Sequence, residues 1–248
     1  MTDRYGLIGY PLGHSFSRKY FTEKFASGFI DAVYELHPLE HISSINRLLR
    51  EYDIKGLNVT IPYKQQVIAF LDELSPEARE INAVNVIKVD DTRGGRKLTG
   101  YNTDAPAFEH ELNDFWKQPP ANALILGTGG ASAAVAYILR KLGWKYNFVS
   151  RYDQKRQDVI SYSDLTSEIM SATQLIVNTT PLGMSPNIDT LPPIPYNCIT
   201  TNHYIFDLVY NPEITLLMKE AGKRGAFTKN GLGMLYRQAD LAWQIWHE

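Results

Sequence analysis

The segment Gly127-Thr128-Gly129-Gly130-Ala131-Ser132 lies between an apolar run at residues 123–126 and an alanine-rich stretch at 131–142. Glycines at a strand-to-helix junction let backbone amides approach an anion at the positive end of a helix, as in a pyrophosphate cradle. Ser132 stands where a third glycine is usual, and on the string alone a tight turn is the alternative reading. About twenty residues on, NAD sites place an acidic residue for the ribose hydroxyls. This chain has Ser150-Arg151 there, followed by Lys155 and Arg156. Such cations suit a 2′-phosphate, so the expected cofactor is NADP.

The strand and helix patterns around this loop define a doubly wound unit. Strands are expected at 123–126, 146–150, 175–178 and 204–208, with a helix at 131–142 and another from 102 to about 115. Ahead of it, strands at 5–9, 32–36 and 56–60 alternate with helices at 17–26, 40–51 and 62–71, which implies a second, mostly parallel sheet. Residues 90–97, rich in Asp, Arg and Gly, read as a break in that pattern, and Pro119-Pro120 as a stiff connector. A final helix at 232–246 carries an apolar stripe through Gly231, Met234, Leu241 and Ile245, interrupted by Gln238, whose amide wants a partner.

Composition narrows the function. With 25 basic and 27 acidic side chains and no long basic run, a nucleic acid partner is disfavoured. Residues 121–139 are apolar but broken by Asn122, Thr128 and three glycines, a poor membrane span. Cys198 is the sole cysteine, so no internal disulfide can form and a reducing cytoplasm is expected. His37 and His41 flank Glu40, but Pro38 interrupts a helix there and no third ligand is evident, so no metal is expected.

Seven ordered motifs place the chain. They are Gly9-Tyr10-Pro11-Leu12-Gly13-His14-Ser15-Phe16-Ser17, Asn58-Val59-Thr60-Ile61-Pro62-Tyr63-Lys64, Ala83-Val84-Asn85 and Gly100-Tyr101-Asn102-Thr103-Asp104, then Asn178-Thr179-Thr180-Pro181-Leu182-Gly183-Met184, Asp207-Leu208-Val209-Tyr210, and Asn230-Gly231-Leu232-Gly233-Met234-Leu235 with Gln238. Together they closely resemble the shikimate dehydrogenase family over nearly the whole chain. The resemblance implies NADPH-dependent reduction of 3-dehydroshikimate to shikimate on the route to aromatic amino acids. It also implies an α/β protein of two domains. Residues 1–103, completed by 232–248 through a returning C-terminal helix, form the substrate-binding catalytic domain, and 104–231 a Rossmann-like NADP-binding domain. Substrate and cofactor are expected to meet between the domains, with closure excluding water.

By the same resemblance Lys64 and Asp104 are the catalytic pair, and Ser15, Ser17 and Tyr210 hold the substrate carboxylate. Asn58, Thr60, Asn85 and Gln238 bind the ring hydroxyls, amides and hydroxyls being able both to donate and to accept. Gly127, Thr128, Gly129, Gly130, Ala131, Ser150, Arg151 and Lys155 hold the dinucleotide, and Leu208 and Gly231 approach the nicotinamide. Locally, Ser17 reads as a helix N-cap, with Phe16 and Phe21 as a hydrophobic staple. Lys64, two residues after Pro62, reads as lying in a first helical turn, whose dipole favours the neutral amine that can take a hydroxyl proton. Asp104 pulls the other way, toward a cationic Lys64 that stabilises an alkoxide, and both roles stay open.

Two departures accompany the resemblance. The stretch 151–163 is short for the usual crossover helix, and Ser150 and Tyr152 replace the usual Asn and Thr beside Arg151. The chain also stops at Glu248, where many relatives carry another helix. A monomer or homodimer binding a small molecule is expected. The alternatives are a quinate or amino-substituted shikimate dehydrogenase, or a catalytically idle relative that binds NADPH.

Overall fold

The computed structural model describes residues 2–13, 15–92, 95–151 and 156–248. The chain divides into two compact units, Met1–Thr103 with Gln238–Glu248, and Asp104–Arg237.

The first unit runs β1 (Asp3–Gly9), α1 (Phe16–Ser27), β2 (Ala32–Pro38), α2 (Ile45–Glu51), β3 (Ile54–Val59), β4 (Glu73–Leu74), α3 (Pro76–Ile81), β5 (Val86–Thr92) and β6 (Gly95–Tyr101). Its sheet has the order β2-β1-β3-β5-β6-β4. The first three strands are parallel, whereas β5 is antiparallel to both β3 and β6. Residues 90–92 and 95–97, within the stretch expected as a break, instead pair in a hairpin registered from Val86↔Tyr101 to Thr92↔Gly95. Buried Val86, Ile87, Val89 and Leu98 hold that hairpin in the core.

Three helical expectations are corrected. Residues 40–51 begin as a 3-10 turn, Ile42–Ser44, before α2. Residues 62–71 form a turn followed by the 3-10 segment Gln66–Phe70, because long-range partners claim this backbone. The Lys64 carbonyl accepts from Val84 N at 2.7 Å, and the Tyr63 phenol donates to Leu39 O at 2.5 Å. The cap of α1 is Ser15, whose hydroxyl accepts from Arg18 N at 3.4 Å, and not Ser17. Phe16 is already helical and stacks on Tyr20 one turn later, at 5.8 Å between ring centroids.

The second unit runs α4 (Asp104–Phe115), β7 (Asn122–Leu126), α5 (Gly130–Lys141), β8 (Lys145–Ser150), β9 (Val159–Ser161), α6 (Ser167–Ala172), β10 (Leu175–Asn178), β11 (Tyr204–Asp207), α7 (Leu216–Gly222) and β12 (Phe227–Asn230). Its six strands, ordered β12-β11-β10-β7-β8-β9, are all parallel. Among the described residues no helix separates β8 from β9.

Helix α8 (Leu232–His247) follows, and the division between units falls within it. Its buried face is Met234, Gln238, Ala239, Ala242 and Trp246, so the expected stripe through Leu241 and Ile245 is rotated by one residue. Trp246 decides this. Its indole N–H donates to Ile87 O at 3.0 Å and its ring stacks on Tyr5 at 4.8 Å, while the two alanines let the helix approach the sheet. No described helix is long and apolar enough to cross a membrane.

Candidate functional site

In the second unit the connections after β7 and β10 leave in opposite directions, the point at which open parallel sheets bind ligands beyond their carboxyl ends. The glycine loop follows β7 there. Gly127 has φ +111°, and a Cβ at this position would lie 2.9 Å from Thr179 Oγ1. Thr179, just past β10, donates its hydroxyl to Leu126 O at 2.6 Å, so the Ser132 hydroxyl 2.6 Å away must donate to Thr179 Oγ1. Ser132 in turn accepts from Gly129 N at 3.1 Å. The side chain in the third-glycine position therefore braces the loop. Gly130 and Ala131 open α5, and Thr128 and Gly129 precede it, so this backbone faces an anion with the positive end of the helix.

Ser150 is buried at the end of β8 and Arg151 beside it is exposed. Lys155, expected to assist with the 2′-phosphate, lies outside the described residues.

Asp207, at the end of β11, is fully buried. Its Oδ1 accepts from Asn178 Nδ2 at 2.8 Å and Val209 N at 3.1 Å, and its Oδ2 from Thr215 Oγ1 at 2.6 Å. Burial pushes this carboxyl above the ordinary range, opposed by those three donors. The segment behind it is held from both sides. Leu208 N donates to Asn178 O at 2.9 Å and Gly231 N to Val209 O at 3.2 Å. A Cβ on Gly231 would come within 2.6 Å of the Leu208 carbonyl carbon, so only glycine allows this approach. Tyr210 is half-buried, and burial raises its phenol.

The first unit gathers a second polar group. Buried Asn58, on β3, accepts from the Tyr34 phenol at 2.7 Å through Oδ1 and donates through Nδ2 to Asn85 O at 3.4 Å. Asn85, also buried, accepts from Thr103 N at 2.7 Å and donates to Thr103 Oγ1 at 2.9 Å. Tyr34 is buried on β2. Its phenol is pushed strongly upward by desolvation. Ser15 and Ser17 open α1, Thr60 and Lys64 follow β3, and buried Gln238 sits on α8. Thr60 N donates to Ile8 O at 2.9 Å, and Lys64 is half-buried in its turn, clear of any α-helix N-terminus. The first α-helical turn expected at Lys64 is therefore not formed.

Residues 7–87 match the family described as the shikimate dehydrogenase substrate binding domain. The chain is 35% identical to the shikimate dehydrogenase (NADP(+)) of Desulforamulus reducens, covering 97% of this chain and 88% of the relative. It is 37% identical to that of Carboxydothermus hydrogenoformans, covering 97% and 90%. The chain belongs to the shikimate dehydrogenase family. A solved structure of the Thermus thermophilus shikimate 5-dehydrogenase, in complex with NADP(H) and shikimate, superposes with a TM-score of 0.84 at 30% identity, covering 98% of this chain and 93% of that one.

Among the residues expected to act in a shikimate dehydrogenase, the structure joins Asn58 and Asn85 into one network in the first unit, and sets Gly127–Ala131, the braced 208–210 segment and Gly231 in the second. Asp104 is buried and opens α4 of the second unit. Sequence reasoning gave no role to Tyr34, Thr179 or Asp207. Thr179 and Asp207 stood inside quoted motifs, but Tyr34 is one aromatic in an ordinary strand pattern and carried no local signal.

Proposed function

We propose that this chain is an NADP-dependent shikimate dehydrogenase that interconverts 3-dehydroshikimate and shikimate in the cytoplasm, a step of aromatic amino acid biosynthesis. The observation that carries the reading is the pair of preformed sites, one per unit: a glycine-rich backbone cradle at a helix N-terminus, and a buried set of amides and hydroxyls on Asn58, Asn85, Tyr34 and Thr103. The first suits a pyrophosphate and the second a neutral polyol. Residues 1–103 with the end of α8 then serve the substrate and 104–231 the dinucleotide.

NADPH, when bound, supplies the hydride. Gly127, Thr128, Gly129, Gly130 and Ala131 hold its diphosphate through backbone N–H groups, and Arg151, with Ser150 and Lys155, takes the 2′-phosphate. Gly231 and Leu208 leave a flat backbone surface for the nicotinamide face. Ser15, Ser17 and Tyr210 donate hydroxyl protons to the substrate carboxylate, while Asn58, Thr60, Asn85 and Gln238 orient the ring through its hydroxyls. Lys64 Nζ handles the proton on the oxygen of the reacting carbon, giving it during reduction and removing it during oxidation, and the Asp104 carboxylate orients and electrostatically supports that amine. Exclusion of water around Lys64 strengthens these interactions.

The deciding experiment follows reduced dinucleotide by absorbance after mixing the protein with shikimate and NADP+. Turnover is expected with shikimate in preference to quinate and with NADP+ in preference to NAD+. Dinucleotide binding without turnover on any such cyclohexene acid refutes the assignment.

A further inference from the structure

The direction of every hydrogen bond around Asn58 follows from one end of its network. Asn85 O is a backbone carbonyl and can only accept, so the Asn58 atom facing it at 3.4 Å must be the amide nitrogen. The atom facing Tyr34 at 2.7 Å is then the amide oxygen, and the phenol must be the donor in that bond. A directed chain results, from the Tyr34 phenol to Asn58 to the Asn85 carbonyl. Tyr34 reaches Asn58 diagonally across β1, since Tyr34 is registered with Tyr5 and Asn58 with Leu7. Its ring is held for this reach by stacking on Phe21, at 4.6 Å and 13°.

We propose that Tyr34 is a positioning residue of the substrate site, which locks the Asn58 amide with its nitrogen available to a ring hydroxyl oxygen. The inference rests on the assignment of Asn58 to the substrate made above. Without the phenol the Asn58 amide can rotate, and its Oδ1, facing a hydroxyl oxygen, can accept but no longer donate. The effect therefore falls on recognition of the ring hydroxyls.

Tyr34→Phe keeps the ring stack on Phe21 and removes only the hydroxyl. Steady-state kinetics are to be measured for this variant, for Asn58→Ala and for the double variant, with a thermal melt of each. Tyr34→Phe is expected to raise KM for shikimate about tenfold, the size of one ordinary hydrogen bond lost, with KM for NADP+ within about twofold of wild type. In the Asn58→Ala background the same change is expected to add less than about twofold, because Tyr34 acts through Asn58. An unchanged shikimate KM in Tyr34→Phe, additive losses in the double variant, or a melting-point loss with both KM values equally raised would each overturn the proposal. An Asn58→Ala enzyme with wild-type shikimate KM would instead remove the substrate role of Asn58 itself, a separate failure.

Discussion

Gly231→Ala tests the nicotinamide surface most directly, because the structure sets the size of the disturbance. A Cβ at this position would lie 2.6 Å from the Leu208 carbonyl carbon, against a comfortable carbon–carbon separation of about 3.5 Å. About 1 Å of movement is needed to relieve this contact, and what it strikes is backbone, which cannot swing aside as a flexible side chain would. The strands resist such movement. Leu208 N is tied to Asn178 O, Val209 N to the buried Asp207 carboxylate and Val209 O to Gly231 N. The shift therefore moves the surface against which the nicotinamide is proposed to lie. A displacement of about 1 Å in the reacting groups lowers rate by about 10²-fold, which corresponds to about 2.7 kcal/mol of barrier. Single-turnover kinetics with saturating shikimate and NADP+ should show kcat reduced by about that factor, with KM for shikimate little changed. A variant that melts at a lower temperature but turns over at the wild-type rate would refute the reasoning, since the contact would then be structural only.

Three further outcomes follow from the site and its surroundings. Lys64→Ala is expected to lower kcat by about 10²- to 10⁴-fold while shikimate binding, measured by calorimetry, changes far less; equal losses in both would leave Lys64 a binding group only. Arg151→Ala is expected to raise KM for NADP+ by about 10- to 100-fold with KM for NAD+ almost unchanged, and an unaltered cofactor preference would remove the phosphate role of this guanidinium. His37 bears on pH. Among the described residues its Nε2 is buried without a hydrogen-bond partner, and desolvation, with Arg4 acting in the same sense and Glu35 opposing, holds its pKa below the ordinary 6.5. Below about pH 6.5 the unfolded chain binds a proton that the folded ring resists, so stability falls as pH drops from that value toward the depressed one. Chemical denaturation at pH 5.5 and 7.5 should show this loss, and His37→Phe should shrink the difference; an equal difference in that variant would place its origin elsewhere.

Much of the fold was legible because each signal was local. Short apolar runs and the turn glycines located β7, α5, β8, β10 and β11 to within a residue or so, since run length, helix period and the need for φ above zero at Gly127 are properties of short segments. The helix expected at residues 62–71 illustrates the opposite case. Its composition permits a helix, but the Lys64 carbonyl is taken by Val84 and the Tyr63 phenol by Leu39, both distant in sequence, and the competing partners win. The hairpin at 86–101 was hidden because the polar composition of its tip reads as a linker, whereas its pairing is a long-range property of the β3 edge.

The sequence by itself determined the chemistry: which side chains can donate, accept or carry charge, where glycine permits backbone to approach a ligand, and, through seven ordered motifs, the shikimate dehydrogenase family. Tertiary structure alone decided direction and support. The rotation of α8 follows from the one hydrogen bond that Trp246 makes to Ile87, and the bracing of the glycine loop from a hydroxyl of Thr179, 52 residues after Gly127 in the chain. The orientation of the Asn58 amide follows from a tyrosine two strands away. Hydrogen-bond polarity depends on which partners the fold brings within about 3 Å, and no periodicity in the chain encodes that distance.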